Sequence, residues 1–247
     1  MKSRLKDRII IVTGGNGLLG KAIIERIKAE GAFCINFEIN HKTNEDLSNV
    51  ECDITNQESI DNALRLVLNK YHKIDGLVNN AYPKTKDWGD KFEDVKIDSW
   101  KQNVDWQLNS YFYMSQKVAI QMVKQKSGSI INMASVYGVI APDFTIYEGT
   151  NMTMPAAYSA IKGGLVNLTK YIAAYYGPQQ IRVNTVSPGG IFDNQNTNFI
   201  KNYEKKVPLH RMGTPNDVAP SVAFLLSDDS KYITGHNLII DGGWTIV

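Results

Sequence analysis

The chain has 247 residues, 43% of them hydrophobic and 21% charged, which is enough apolar material to bury a sizeable core and excludes a disordered tail or a coiled coil. Lysine and arginine total 27 against 25 aspartates and glutamates, a formal charge of +2. The signs are mixed along the chain, so a nucleic-acid or lipid-headgroup footprint is excluded, and a small-molecule partner is expected with no nucleic acid and no membrane.

No uninterrupted apolar stretch reaches membrane length, and the charged N-terminal segment runs straight into a strand pattern; a cytoplasmic protein is the expectation. Cys34 and Cys52 lack the Cys-x-x-Cys spacing and read as packed thiols in a reducing compartment. His41, His72, His210 and His236 have no ligand spacing, so no metal site is expected.

Short β-branched runs at Ile9–Thr13, Phe33–Phe37, Gly76–Asn79, Ser129–Ala134, Ile181–Val186 and Leu238–Ile240 alternate with amphipathic stretches. That alternation predicts an α/β fold, a doubly wound parallel sheet flanked by helices on both faces. The first run enters Thr13-Gly14-Gly15-Asn16-Gly17-Leu18-Leu19-Gly20 and then a helix to about Glu30. Glycines there let the backbone turn sharply and approach a pyrophosphate at a helix N-terminus. Glu38, ending the second strand, is placed to accept hydrogen bonds from both hydroxyls of an adenosine ribose, although a surface glutamate would read the same way. Its charge would repel a 2′-phosphate, and Asn16 and Ile39 offer no guanidinium clamp, so NAD is favoured over NADP; Lys42 is the one nearby cation acting against that choice.

Thr55 and Glu58 form a capping-box pattern opening a helix over Gln57–Lys70, and Asp98 or Ser99 is the expected cap of a long helix ending near Lys124. Tyr-x-x-x-Lys occurs three times, at Tyr82/Lys86, Tyr113/Lys117 and Tyr158/Lys162. Pro83 disfavours a helix at the first, and the second lies inside a long helix. Tyr158 and Lys162 begin a helix after Pro155, share one face, and follow Ser135 at a strand end, where ligands of open parallel sheets bind. A phenol titrates near pH 10, so Lys162 is expected to favour the phenolate of Tyr158 and lower its pKa, with Ser135 holding the substrate oxygen. A buried helix face beside an ordinary serine would leave the same pattern. No linker or repeat divides the chain, so one domain over 1–247 is expected, with a long loop at about 137–156 beside the site.

The ordered set formed by the glycine turn, Asp53, Asn79-Asn80-Ala81, Ser135, Tyr158/Lys162, Pro188-Gly189, Arg211-Met212-Gly213 and Asp241-Gly242-Gly243 resembles the short-chain dehydrogenase/reductase family over nearly the whole chain. The resemblance implies a Rossmann-type fold and NAD-dependent hydride transfer to or from a secondary alcohol or ketone. It implies catalytic roles for Ser135, Tyr158, Lys162 and Gln107, the last standing where the family has a relay asparagine, with Asn103 or Asn109 as alternatives. Implied cofactor contacts are Gly14, Asn16, Gly17, Leu18 and Leu19 in the turn, Glu38 at the ribose, Asp53 and Ile54 at the adenine, Asn80 and Ala81 beside the fourth strand, Tyr158 and Lys162, and Pro188, Gly189 and Ile191 near the carboxamide. Implied substrate contacts are Tyr82, Ser135, Tyr147, Tyr158 and Gly190.

Four positions depart from the family pattern: Leu18 for the third glycine, Tyr82 for a glycine, Gln107 for asparagine and Asp193 for threonine. They leave open a second class of function, an NAD-binding sensor or scaffold that has lost catalysis. The 137–156 loop and Asn79–Pro83 are also similar to oxidoreductases of bacterial surface-sugar and flagellin modification. That similarity implies a sugar or phosphosugar, with Asp143, Tyr147, Glu148, Thr150 and Asn151 meeting hydroxyls and Lys84, Lys86 and Arg211 meeting a phosphate. Family members pack the last strand and the helix near Asp217–Ser227 across two-fold axes, which implies a homodimer or homotetramer.

Overall fold

The central strands are buried at nearly every position rather than every second one, as in a sheet covered on both faces. All five residues of β1 (Ile9–Thr13) are buried, and its side chains alternate between two cores. Ile9 and Ile11 pack with one cluster, together with Leu64, Val118 and Leu165. Ile10 and Val12 pack with the other, together with Ile23, Val222 and Leu226.

The protein is described by a computed structural model covering residues 3–247; the first two positions of the expected domain lie outside the described residues. After β1 come β2 (Phe33–Glu38), β3 (Asn49–Glu51), β4 (Gly76–Asn79), β5 (Gly128–Met133), β6 (Ile181–Pro188) and β7 (Asn237–Ile240). They form one seven-stranded sheet in the order β3-β2-β1-β4-β5-β6-β7, and every neighbouring pair is parallel. The helices are α1 (Leu18–Ala29), α2 (Gln57–Tyr71), α3 (Ile97–Val104), α4 (Ser110–Gln125), α5 (Ala156–Tyr176), α6 (Thr197–Lys206) and α7 (Pro215–Leu226). Among the described residues, no helix is long and apolar enough to cross a membrane.

Three local expectations are corrected. The short strand Asn49–Glu51, paired to β2, has too little periodicity to stand out among polar neighbours. The cap of α2 is Asn56, whose side chain accepts from Ser59 N at 3.0 Å, because the Thr55 hydroxyl is committed to Asp53 Oδ1 at 2.7 Å. The helix expected from Asp98 or Ser99 to Lys124 starts at Ile97 after an uncapped Lys96, Ser99 Oγ bonding Asp87 instead at 2.6 Å. A π-helical turn at Asp105–Asn109 separates α3 from α4, and such a turn often marks a functional position.

A buried polar chain ties the sheet to its helices beneath the strand ends. Asn79 Nδ2 donates to Asn132 Oδ1 at 2.8 Å and to Ser115 Oγ at 3.0 Å. Asn132 Nδ2 donates to Thr169 Oγ1 at 2.9 Å, which also accepts from Thr185 Oγ1 at 2.8 Å. Each of these four bonds joins side chains from different elements, so the chain holds β4, β5, β6, α4 and α5 in one register. Replacing Asn132 by Ala takes one hydrogen bond from each of two buried partners, Asn79 and Thr169, and opens a small void. We expect a loss of about 3 kcal/mol in urea unfolding, with secondary structure unchanged; a loss below about 1 kcal/mol would mean the chain contributes little.

Candidate active site

Strand order reverses between β1 and β4, the switch point where open α/β sheets bind ligands at the carboxyl ends of their strands. Gly14 lies there at φ +66°, and a Cβ on it would stand 2.7 Å from Ala81 Cα, so only glycine allows the β1 turn to approach the β4 turn this closely. The two turns are laced together. Thr13 Oγ1 accepts from Asn80 N at 2.9 Å and Ala81 N at 3.0 Å, while Asn80 Nδ2 donates to Thr13 O at 3.0 Å and Gly14 O at 3.1 Å. From β2, Asn36 Oδ1 accepts from Gly15 N at 2.8 Å. Helix α1 then begins at Leu18 with Gly17 as its cap, no capping side chain and no acid in its first turn, leaving N–H groups and a partial positive charge for an anion.

A cavity of about 1020 Å³ runs over these strand ends. One end is lined by Glu38, Asp53 and Ile54, the middle by Gly14, Gly17, Leu18, Leu19, Asn80 and Ala81, and the other end by Ser135, Tyr158, Lys162, Pro188, Gly189, Gly190 and Ile191. Glu38 is held by Asn16 N on Oε2 at 3.0 Å and Ile39 N on Oε1 at 3.1 Å, with acceptor capacity left for further donors. The length, the uncapped helix start and the fixed carboxylate fit a dinucleotide.

At the far end, Ser135 follows β5 and caps a single 3-10 turn, its Oγ accepting from Tyr137 N at 3.2 Å. That turn abuts α5 so closely that a Cβ on Gly138 would lie 2.7 Å from the Lys162 carbonyl oxygen, which sets the third and seventh residues of α5 against the strand end. Lys162 Nζ donates to Met133 O at 2.9 Å beneath the rings of Tyr158, Tyr82 and Tyr111, whose centroids are 5.4, 5.5 and 5.8 Å away. Burial pushes its ammonium down to about 7. Burial also raises the Tyr158 phenol, with the Ser135 hydroxyl acting the other way. The expectation that Lys162 lowers the Tyr158 pKa is thus not what the protein groups provide. The amine is itself stripped of water, and the opposing influence on the phenol comes from Ser135.

Of the implied site residues, two lie elsewhere. Asn16 does not line the cavity; its side chain accepts from Asn36 Nδ2 at 3.2 Å, and only its N–H reaches Glu38. Gln107, in the π turn, is also outside the lining. Its extra methylene carries Nε2 to Pro83 O at 2.8 Å, while Oε1 is buried without a partner. The hydroxyl-binding loop is corrected too. Of its five polar candidates only Tyr147 lines the cavity, joined by Tyr137 and Met154 from the same segment. Asp143 is paired with Lys206, and Thr150 Oγ1 donates to Tyr147 O at 2.7 Å. The segment packs on α6, where Asn202 Nδ2 donates to Glu148 O at 3.2 Å, and Ile146 is buried with Phe199, Tyr203 and Trp244. Arg211 is locked to both carboxylate oxygens of Asp217 at 2.8 Å.

Sequence reasoning missed Trp88, edge-on to Tyr82 at 5.6 Å and 6.2 Å from Tyr158, and also Trp106, Phe199 and Tyr203 in the lining. No local motif marks these residues; only the packing of α6, the π turn and the Tyr82 segment brings them in. Tyr113 and Lys117, the second Tyr-x-x-x-Lys pair, both bond Asp61 at 3.0 Å, which accounts for that spacing structurally.

The family model described as enoyl-(acyl carrier protein) reductase matches residues 19–245. A solved short-chain dehydrogenase from Leptospira borgpetersenii with bound NAD+ superposes with a TM-score of 0.88 at 35% identity, covering 98% of this chain and 94% of that one. The chain belongs to the short-chain dehydrogenase/reductase family. Similar family members include post-translational flagellin modification protein A of Campylobacter coli, 35% identical over 97% of this chain and 99% of the relative. A 7alpha-hydroxysteroid dehydrogenase of Bacteroides fragilis is 32% identical over 99% and 96%. As a short-chain dehydrogenase/reductase the protein is an oxidoreductase of a family that uses nicotinamide cofactors.

The buried amine makes a pH-dependent prediction. Between about 7 and the ordinary 10.5, the unfolded chain holds a proton that the folded chain does not, so stability from this group rises with pH; below about 7 the full penalty of burying an ammonium is present. Lys162→Met removes that penalty. Melting curves without added cofactor are expected to show the variant gaining most over wild type at pH 6 to 7, with the gap closing toward pH 10. A gap independent of pH would contradict the burial effect.

Proposed function

We propose that the protein is an NAD-dependent oxidoreductase that interconverts a secondary alcohol and its ketone, with Tyr158, Ser135 and Lys162 as its catalytic residues. The observation that carries this reading is one continuous cavity with a dinucleotide-shaped cradle at one end and Ser135, Tyr158 and Lys162 at the other. The nicotinamide group supplies or accepts the hydride when bound. The Ser135 hydroxyl, at the mouth of β5, holds the substrate oxygen. Tyr158, whose phenol is raised by burial, stays protonated at neutral pH and so gives its proton to the oxygen of a ketone as charge develops there. Lys162, with a proton affinity near neutrality, exchanges protons with that end of the site. The reductive direction is favoured at neutral pH, and oxidation of the alcohol gains as the phenol ionises.

NAD over NADP is supported by the anchored Glu38 carboxylate, which would meet a 2′-phosphate with like charge. We further assign the substrate to a sugar or phosphosugar. A wall built from Tyr82, Tyr147, Phe199 and Tyr203 supports this, its rings suiting the C–H faces of a sugar and the tyrosine hydroxyls offering partners for its oxygens. The 137–156 segment supplies Tyr147 and Met154 to that wall. A homodimer or homotetramer is proposed from the family resemblance.

Tyr158→Phe removes the proton donor and leaves the cradle intact. Ketone reduction is expected to fall by about 10²- to 10⁴-fold with NADH affinity unchanged by calorimetry; reduction near the wild-type rate would reject the assignment. Glu38→Ala is expected to lower the NAD-to-NADP ratio of kcat/KM by about tenfold or more, since a like-charge contact costs on the order of 1 kcal/mol or more. An unchanged ratio would reject the ribose role.

A further inference from the structure

We propose that Lys84 is the anion-binding residue of the substrate site, so that the alcohol or ketone handled here carries a phosphate or a carboxylate. The inference rests on the oxidoreductase reading above and adds the charge of the substrate to it.

Lys84 sits on a strap whose backbone is fastened on both sides. Before it, Pro83 O accepts from Gln107 Nε2 at 2.8 Å. After it, Thr85 N donates to Asn103 Oδ1 at 3.1 Å, while Asn103 Nδ2 donates to Thr85 Oγ1 at 2.9 Å and to Ser99 O at 2.7 Å. Both amides are buried, at 1% and 3% exposure. Two interior side chains thus hold a three-residue segment against the end of α3 and the π turn, which is more than a solvated loop requires. Between them the lysine lines the cavity, its Nζ 5.9 Å from the Tyr82 ring centroid. That ring is itself edge-on to Tyr158 at 5.8 Å, so the ammonium stands one aromatic ring away from the proton donor.

The charges around it are unbalanced. The lining cations are Lys84 and Lys162, and Lys162 is buried and bound to Met133 O. Among the described residues no ion pair involves Lys84. Glu38 and Asp53 line the cavity beside the α1 start and α2, away from the strap, and Asp193 enters from the segment after β6 without pairing to it. Arg211 is consumed by Asp217, and Lys86 is not in the lining. Lys84 is itself exposed at the rim of the cavity, and with no carboxylate paired to it the ammonium is left to meet an anionic group on a molecule seated in the cavity. Phosphate and carboxylate both offer the acceptor oxygens an ammonium binds.

The test is calorimetric titration of the NADH-loaded protein with hexoses, their 6-phosphates and the corresponding uronates, alongside kcat/KM for the same panel. Wild type is expected to prefer at least one anionic series over the neutral sugars by about tenfold or more, the scale of a charge-assisted hydrogen bond. The series that gains identifies the anion. Lys84→Glu should abolish or reverse the preference without changing the affinity for NADH. Lys91→Glu, the same charge change on an exposed residue outside the lining, should leave it intact. Neutral sugars bound as tightly as anionic ones, or a preference that survives Lys84→Glu, would overturn the proposal. Turnover of neutral alcohols without an anion preference sinks this inference alone; anion binding through Lys84 with no turnover under either redox state sinks the oxidoreductase reading alone.

Discussion

The hydrogen bond from Lys162 Nζ to Met133 O is the contact on which the rest of the site depends. It joins the first turns of α5 to the last residue of β5, and it holds an amine out of water where only a carbonyl and three aromatic rings receive it. Taking an ammonium out of water is costly unless it is paired, and here no carboxylate pairs it, so the amine answers by giving up its proton more readily. The same enclosure raises the Tyr158 phenol. Two groups whose ordinary proton affinities both lie above neutrality are therefore driven in opposite directions, the arrangement by which environments separate the tasks of neighbouring acids and bases.

What surrounds this pair is a set of close approaches that fix distance rather than chemistry. Gly138 lets the β5 turn meet α5, and Gly14 lets the β1 turn meet the β4 turn. The polar chain from Asn79 through Asn132 to Thr169 keeps the strands below in register. Above the strand ends, the 137–156 segment forms a small apolar lobe with α6 in which Tyr203 stacks on Trp244, ring centroids 4.6 Å apart. Its hydroxyl also accepts from Gly190 N at 2.6 Å, coupling the lobe to the end of β6. The cavity beside Ser135 and Tyr158 is thus walled in part by the 137–156 segment and α6, which carry no strand of the sheet.

The sheet was largely readable because its strands are rich in β-branched residues: Ile9–Thr13 is unbroken, and Ile181–Val186 has four of six. Asn49–Glu51 was not, since three residues with one buried position carry no period. That the glycine turn, Glu38, Ser135, Tyr158 and Lys162 face one cavity was also legible, because the first three stand at or just past a strand's carboxyl end, where open parallel sheets form their clefts, and the last two share a face at the start of a helix. What escaped was long-range. Asn36 holds Gly15 across 21 positions, Gln107 holds Pro83 across 24, and Trp88 meets Tyr158 only after the Tyr82 strap is hung from the π turn. Polar loop residues misled for a related reason. Asp143 and Thr150 satisfy each loop's own backbone and α6 rather than the cavity, a use of side chains that composition cannot distinguish from ligand binding.

The account is tested most directly by titrating the amine itself. Selective 13C labelling of lysine, with the Lys162 signal assigned by comparison with Lys162→Met, allows its ionisation to be followed by NMR in the cofactor-free protein. The account predicts an apparent pKa near 7, well separated from those of the exposed lysines; a Lys162 that titrates with them near 10.5 would contradict the enclosed site from which the proposed chemistry is derived.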